Sequence, residues 1–149
     1  MESEGKPKYG PPERVLVENE WYDGPRAGVG NVGGVPHRFT SLFDAEADEY
    51  LSTFLVWPLE PEIVALEVEQ WCIYVEWNVL YEAGKVDTAS HPGHGGQSPR
   101  WDELEILLKA SRSNVPADAK RAKAEMAHIE REQRYARSGP SYTLAWCLL

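Results

Sequence analysis

The sequence has little cysteine and no long apolar run. Its 149 residues include only Cys72 and Cys147, too few for a disulfide framework, and they form no Cys-x-x-Cys pair of the kind that holds zinc. No apolar run approaches the ~18 residues that would span a membrane. The polar start, Met1 to Lys6, lacks the apolar stretch of a secretory signal. The sequence therefore predicts a cytoplasmic protein without a membrane span.

The common motifs of catalytic and cofactor sites are also missing. The chain has no Gly-x-Ser-x-Gly nucleophile elbow, no Gly-x-x-x-x-Gly-Lys phosphate loop and no His-Glu-x-x-His zinc motif. Gly28, Gly30 and Gly33 match the Gly-x-Gly-x-x-Gly spacing, but they precede a predicted hairpin, whereas phosphate binding needs a helix there. We therefore expect no cofactor, and the sequence favours a protein that is not an enzyme.

Positive charge is scarce in the first half of the chain. The formal net charge is −9, and residues 1–82 hold 16 acidic against 5 basic side chains. Residues 83–149 hold 8 acidic and 10 basic side chains. Nucleic acid requires clustered Lys and Arg, so this distribution excludes it as a partner. The acidic half has two interpretations: it keeps the protein soluble, or it covers a partner with a basic surface.

The chain divides into an irregular N-terminal arm, residues 1–13, and one domain, residues 14–149. Alternating apolar residues and the turn signals between them predict four successive strands in an antiparallel meander. A last strand is expected over Tyr142–Leu149, which is apolar and of strand length. The four meander strands are predicted over Arg14–Glu18, Arg26–Val32, Val35–Thr40 and Leu51–Trp57.

Three helices are expected after the meander. Pro61 and Gly84 delimit the first, which runs to Ala83 and is apolar on two faces, with Trp71 and Trp77 predicted to be buried. The others are predicted over Pro99–Ala110 and Pro116–Arg137. The expected fold is therefore α+β: an antiparallel sheet of four to five strands, packed by a central two-faced helix plus two further helices.

Polar side chains form two narrow stripes on the first helix. Glu62, Glu69 and Glu76 are seven residues apart, or about 10.5 Å along the axis at ~1.5 Å per residue, too far for acid–base work on one glycosidic bond. Glu67, Asn78 and Glu82 form the second polar stripe. The first stripe is interpreted as a solvent-facing row, or alternatively as a docking row for the Lys and Arg side chains of a partner.

The turn from Trp21 to Gly28 is a further candidate site. Trp21, Tyr22, Asp23 and Arg26 combine side chains that are enriched at binding hot spots. A structural role is the alternative: Asp23 closes the turn through its own side chain, Arg26 pairs with an acid, and the aromatic rings pack on the sheet edge. Both interpretations stay open at the level of sequence.

Histidines suggest a possible metal or ligand site. His91 and His94 lie in the glycine-rich loop 85–98, and His37 lies in a predicted strand. Zinc needs three or four ligands at fixed geometry, and the sequence supplies no further ligand motif. We therefore expect no bound metal, with His91 and His94 exposed and His37 hydrogen-bonded in the core.

Several of these residues together resemble a known pattern. Tyr22-Asp23-Gly24-Pro25-Arg26-x-Gly28, followed by Pro36-His37-x-Phe39, Trp71, Trp77 and His91-Pro92, is similar to an uncharacterised family of small bacterial proteins. The resemblance covers about residues 15–110. It implies no activity, cofactor or catalytic residue.

Two functions remain as hypotheses. The first is a non-enzymatic, acidic protein-interaction module, such as an inhibitor, an immunity-type protein or a complex subunit. It would bind a basic partner through Trp21, Tyr22, Asp23 and Arg26 and through the stripe of Glu62, Glu69 and Glu76. The second is a small-molecule-binding domain or hydrolase, with a pocket near the 85–98 loop where His91, His94 and His37 meet.

Overall fold

The computed structural model describes residues 8–149, and most of the predicted N-terminal arm lies outside that range. The described chain forms a closed antiparallel barrel of six strands, with two helices outside it. The strands are β1 (Glu13–Trp21), β2 (Pro25–Val32), β3 (Val35–Asp44), β4 (Glu49–Pro58), β5 (Lys120–His128) and β8 (Tyr142–Leu148). Helices α1 (Pro61–Glu82) and α2 (Pro99–Ser113) connect β4 to β5, and β6 (Tyr135–Ala136) and β7 (Gly139–Pro140) form a small separate hairpin.

The expected open sheet with three helices is wrong, because β5 closes the sheet. This strand pairs with β4 on one side and with β8 on the other, and β8 pairs in turn with β1. Residues 116–137, predicted as a third helix, instead contain β5, the short strand β6 and the irregular segment between them. Ala122 is buried in the barrel, and Ala124 and Met126 pack against the same core, so period-two burial prevails over the helical spacing.

Aromatic and branched side chains fill the barrel interior. Phe39 lies 5.9 Å from Phe54 and 5.8 Å from Trp146, measured between ring centroids. A side chain at Gly28 would meet the Val17 carbonyl oxygen at 2.2 Å and the Phe39 ring at 2.8 Å, so only glycine fits there. The inner core consists of Val15, Phe39, Phe54, Val56, Ala122, Tyr142, Leu144 and Trp146.

Helix α1 packs on the outer face of the barrel with one side. It ends as predicted, with Ala83 as its cap and Gly84 in the left-handed region at φ 71°. Trp71 and Val75 form a second core with Val17 and Val29 of the barrel wall. Burial on both faces is not found along its whole length, since Val79, Leu80 and Tyr81 are exposed at the C-terminal end.

Residues 129–141, here called the strap, join β5 to β8 at one end of the barrel. The indole Nε1 of Trp71 donates a hydrogen bond of 2.7 Å to the carbonyl of Ala136, which holds the strap against α1. Gly139 has φ 124°, and a Cβ there would lie 2.1 Å from the carbonyl oxygen of Val15. The strap therefore lies directly on β1 and forms a wall beside the second half of α1.

Candidate functional site

Two turns at one end of the barrel bring three aromatic side chains together, and a fourth, Trp21, is next to one of them in the chain. Trp21 and Tyr22 lie at the end of β1 and in the turn after it, and Phe43 and Tyr50 lie on either side of the β3–β4 turn. The Tyr50 ring is 5.0 Å from Phe43 and 6.0 Å from Tyr22. Tyr22 is 68% exposed and Phe43 49%. We call Trp21, Tyr22, Phe43 and Tyr50 the aromatic tip.

Arg26 holds the β1–β2 turn against this tip. Its guanidinium donates hydrogen bonds to the carbonyls of Tyr22 (2.7 Å) and Asp23 (3.1 Å), and lies 4.7 Å from the Tyr50 ring centroid. Asp23 is in the left-handed region at φ 54°, followed by Gly24 at φ 121°. Arg26 thus binds backbone carbonyls and a ring where an acidic partner was expected, and within residues 8–149 no hydrogen bond from the Asp23 side chain closes the turn.

Acidic side chains surround the aromatic tip. The Tyr50 hydroxyl donates a 3.0 Å hydrogen bond to Glu20, and this bond raises the pKa of Tyr50 above its usual value. The carboxylate of Asp44 accepts hydrogen bonds from the backbone N–H groups of Glu46 and Ala47, which shapes the β3–β4 turn. With Asp23, Asp48 and Glu49, the two turns carry six acidic side chains and one basic side chain, Arg26.

Trp21 links the aromatic tip to the strap. Its ring centroid lies 5.7 Å from that of Tyr142, and the guanidinium of Arg134 lies 4.6 Å from it. Behind these groups, the Tyr142 hydroxyl donates a 3.0 Å hydrogen bond to Glu18. Burial raises the pKa of Glu18, although that hydrogen bond and the charge of Arg134 oppose the shift.

A cleft of about 740 Å³ lies between the C-terminal half of α1 and the strap. Tyr74 and Tyr135 meet edge to face in it, with ring centroids 5.2 Å apart, and burial raises the pKa of Tyr74, so its phenol stays protonated. The sequence does not indicate this cleft, because the residues of the strap that line it fall within the helix predicted over Pro116–Arg137. Its lining residues are Tyr74, Asn78, Val79, Glu82, Ala83, Glu132, Gln133, Arg134 and Tyr135.

The stripe of acidic residues on α1 is partly occupied by arginines of the same chain. Glu69 binds the Arg100 guanidinium through two hydrogen bonds of 2.6 and 2.7 Å, and this interaction lowers the pKa of Glu69. Glu76 forms an ion pair with Arg137 of the strap. Glu62 is exposed. A partner would therefore have to displace two arginines to use the whole stripe.

Glu67, assigned to a polar stripe in the sequence, is instead fully buried beneath the helices. It accepts hydrogen bonds from Arg38 of β3 at 2.8 Å and from Arg112 of α2 at 2.7 and 2.9 Å. Burial by itself raises the pKa of Glu67, but the hydrogen bonds and charges of Arg112 and Arg38 outweigh it and hold the pKa below its usual value. These three residues clamp both helices to the barrel.

The histidines do not converge on one site. His91 packs against Trp77 with ring centroids 4.7 Å apart and lies 5.7 Å from His94, and burial lowers its pKa. His37 is held on β3, where its Nδ1 donates to the Val35 carbonyl. A depression of about 440 Å³ near the loop is lined by residues 84–87 and Ser90, not by these rings. Residues 8–149 contain no group of three side chains suited to a metal ion.

The comparisons with known proteins give no identity. No family model, no curated protein and no solved structure matches the chain. The resemblance to a family of small bacterial proteins therefore stays a prediction. Neither helix found within residues 8–149 is long and apolar enough to cross a membrane.

Proposed function

We propose that this protein is a non-enzymatic interaction module whose aromatic tip binds a protein partner with a basic surface. The observation that carries the proposal is the meeting of Tyr22, Phe43 and Tyr50 at one end of the barrel, with Trp21 next to Tyr22 in the chain. Exposed Trp and Tyr side chains on a rigid scaffold are typical of binding hot spots. The barrel supplies that scaffold, since both turns connect strands paired on both sides.

Charge selects the chemistry of the partner. The two turns carry six acidic side chains against two arginines at the tip: Arg26, which is already bound to two carbonyls, and Arg134 of the strap, which lies over Trp21. Such a surface attracts basic proteins at long range and repels acidic ones and nucleic acid. The cytoplasm remains the proposed location.

The acidic stripe on α1 has a secondary place in this proposal. Glu69 and Glu76 each bind an arginine of the chain itself, which leaves Glu62 as the member free to meet a partner. We therefore propose that the aromatic tip makes the direct contacts with the partner, and that the stripe of Glu62, Glu69 and Glu76 contributes only long-range electrostatic attraction.

The test is capture of partners from native lysate at low salt, followed by binding measurements with the purified partner. Tyr22→Ala and Phe43→Ala should each weaken binding by about 2 kcal/mol or more, or roughly 30-fold. Ile106→Ala is the matched control, because Ile106 is 77% exposed on α2, away from the tip. Equal losses for all three variants, or capture that none of them changes, would refute the assignment.

A second pair of variants separates the tip from the stripe. Reversal of Glu46 and Glu49 to lysine should slow association, and the effect should shrink as salt shortens the Debye length from ~30 Å at 0.01 M to ~8 Å at 0.15 M. Glu62→Lys should have a smaller effect. A larger effect on the association rate for Glu62→Lys than for the reversal of Glu46 and Glu49 would indicate that the partner binds at α1 and not at the tip.

A further inference from the structure

The cleft between α1 and the strap has the dimensions of a small-molecule site. Ligand pockets enclose roughly 300–1,000 Å³, and this one encloses about 740 Å³. Its apolar surface comes from the rings of Tyr74 and Tyr135 and from Val79 and Ala83. Asn78 and Gln133 supply neutral hydrogen-bonding groups along the same walls. The cleft is thus able to take a ligand with an apolar body and a polar end.

Three features make the cleft attractive to positive charge. Glu82 lies on one wall and Glu132 on the other. The C-terminal end of α1 also faces it, and the partial negative charge of that helix end is not offset, because its last turn contains no basic residue. The two tyrosine rings that line the cleft add a third source, since aromatic rings attract cations.

The one basic group of the lining, Arg134, supports the same conclusion. Its guanidinium already lies 5.2 Å from the Tyr135 ring and 4.6 Å from Trp21, so the chain itself places a cation on these rings. The buried carboxylate of Glu18 lies close enough to sense that charge. An anionic ligand would be attracted by this single arginine but repelled by two lining carboxylates and by the helix end.

We propose that the cleft lined by Tyr74, Tyr135, Glu82 and Glu132 binds a small organic cation, an amine with an apolar or aromatic body. The apolar body of the ligand packs against the tyrosine rings and Val79, and its ammonium group lies toward the two carboxylates. This site is separate from the aromatic tip and does not depend on the function proposed for it.

Three probes with one body and different charges test the proposal: 4-phenylbutylamine, 4-phenylbutanol and 4-phenylbutyrate. Binding is measured by calorimetry, and the site is located by chemical-shift changes in the ¹⁵N-labelled full chain. We expect the amine to bind at least tenfold more tightly than the alcohol, and the carboxylate to bind most weakly. The shifts should centre on Tyr74, Asn78 and Tyr135. Tighter binding of the carboxylate, equal binding of all three probes, or shifts outside the cleft would overturn the proposal.

Conservative variants test the role of the carboxylates. Glu82→Gln and Glu132→Gln should each weaken amine binding several-fold and leave alcohol binding unchanged. Glu62→Gln is the matched control: it removes the same charge from the same helix, 20 residues or roughly 30 Å away along the axis. Both cleft residues are exposed, so these variants are expected to fold. If Glu62→Gln weakened the amine as much as Glu82→Gln, general charge would explain the binding and the site would be refuted.

Discussion

Replacing Glu67 by glutamine should lower the free energy of unfolding strongly, although the two side chains have nearly the same size and shape. Glutamine keeps the size of the side chain but removes the negative charge that Arg38 and Arg112 share. Breaking a buried ion pair by removing one partner costs about 3–5 kcal/mol, because an uncompensated charge stays buried. Arg38 is itself buried, so its unpaired charge should carry the full cost. Arg112 is about a quarter exposed, so water partly solvates its charge, and the lower half of the range applies to the loss of its ion pair.

Glu69→Gln is the matched control for this change. Glu69 lies on the same helix and also binds an arginine through two hydrogen bonds, but both partners are 42% exposed. Exposed ion pairs contribute about 0–1 kcal/mol. The two variants therefore make the same chemical change and differ in burial. Urea unfolding of both at pH 7 gives the comparison, with the free energy of unfolding obtained by linear extrapolation.

The dependence on pH supplies an independent check. The folded pKa of Glu67 is lowered, so its ionised form stabilises the fold above the unfolded pKa of about 4.3, and this contribution is lost as pH falls through the folded pKa. The gap between wild type and Glu67→Gln should thus be constant from pH 7 to about pH 5 and close only below about pH 4. A gap under 1 kcal/mol at pH 7, or one that closes near neutral pH, would refute this account of the clamp.

Two further predictions concern packing. Trp71→Ala should lower the free energy of unfolding by about 3–5 kcal/mol and release the strap. Trp77→Ala should lower it clearly less, because Trp77 is only half-buried and donates its Nε1 hydrogen to Ser90 near the surface. Equal losses of stability in chemical denaturation would contradict the one-sided burial of α1. Gly139→Ala should lower the melting temperature more than Gly34→Ala, since both glycines have positive φ but only the first would place a Cβ against backbone. Thermal unfolding of the two variants measures the difference. Equal melting temperatures would show that the strap moves freely.

The local parts of the fold are predictable from sequence. The meander β1–β4 follows from alternating apolar residues and from Asp23-Gly24 and Gly33-Gly34, which tolerate the positive φ values of tight turns. Helix α1 follows from Pro61 at its start and Gly84 beyond its end. In each case the signal lies within a few residues of the structure that it specifies.

Strand β5 shows where such reasoning fails. Lys120–His128 is rich in residues that favour helices, and Ala119, Ala122, Met126 and Ile129 fit a helical stripe. The same stretch also alternates, with Ala122, Ala124 and Met126 facing inward. Pairing with strands on both sides selects the second pattern, and no local feature indicates those neighbours. The closed barrel was missed for this reason.

The candidate sites were partly visible. Trp21 and Tyr22 are identified from their turn, but Phe43 and Tyr50 are not, because the predicted strands end at Thr40 and begin again at Leu51, which leaves both residues outside them. The burial of Glu67, which the sequence assigns only to a polar stripe, is not predictable, since its partners Arg38 and Arg112 are 29 and 45 residues away in the chain. Contacts over such distances depend on the finished topology, which periodicity does not encode.

The position of the helices between β4 and β5 has a consequence for how the protein folds. The first four strands form a continuous meander of local contacts, but β5 begins at Lys120, 62 residues after β4 ends at Pro58. Closing so long a loop carries an entropic cost before the new strand pairs are gained. We therefore expect the meander to form first and barrel closure to limit the folding rate. Until then the edges of β1 and β4 are unpaired, which makes this intermediate stage the one most exposed to aggregation.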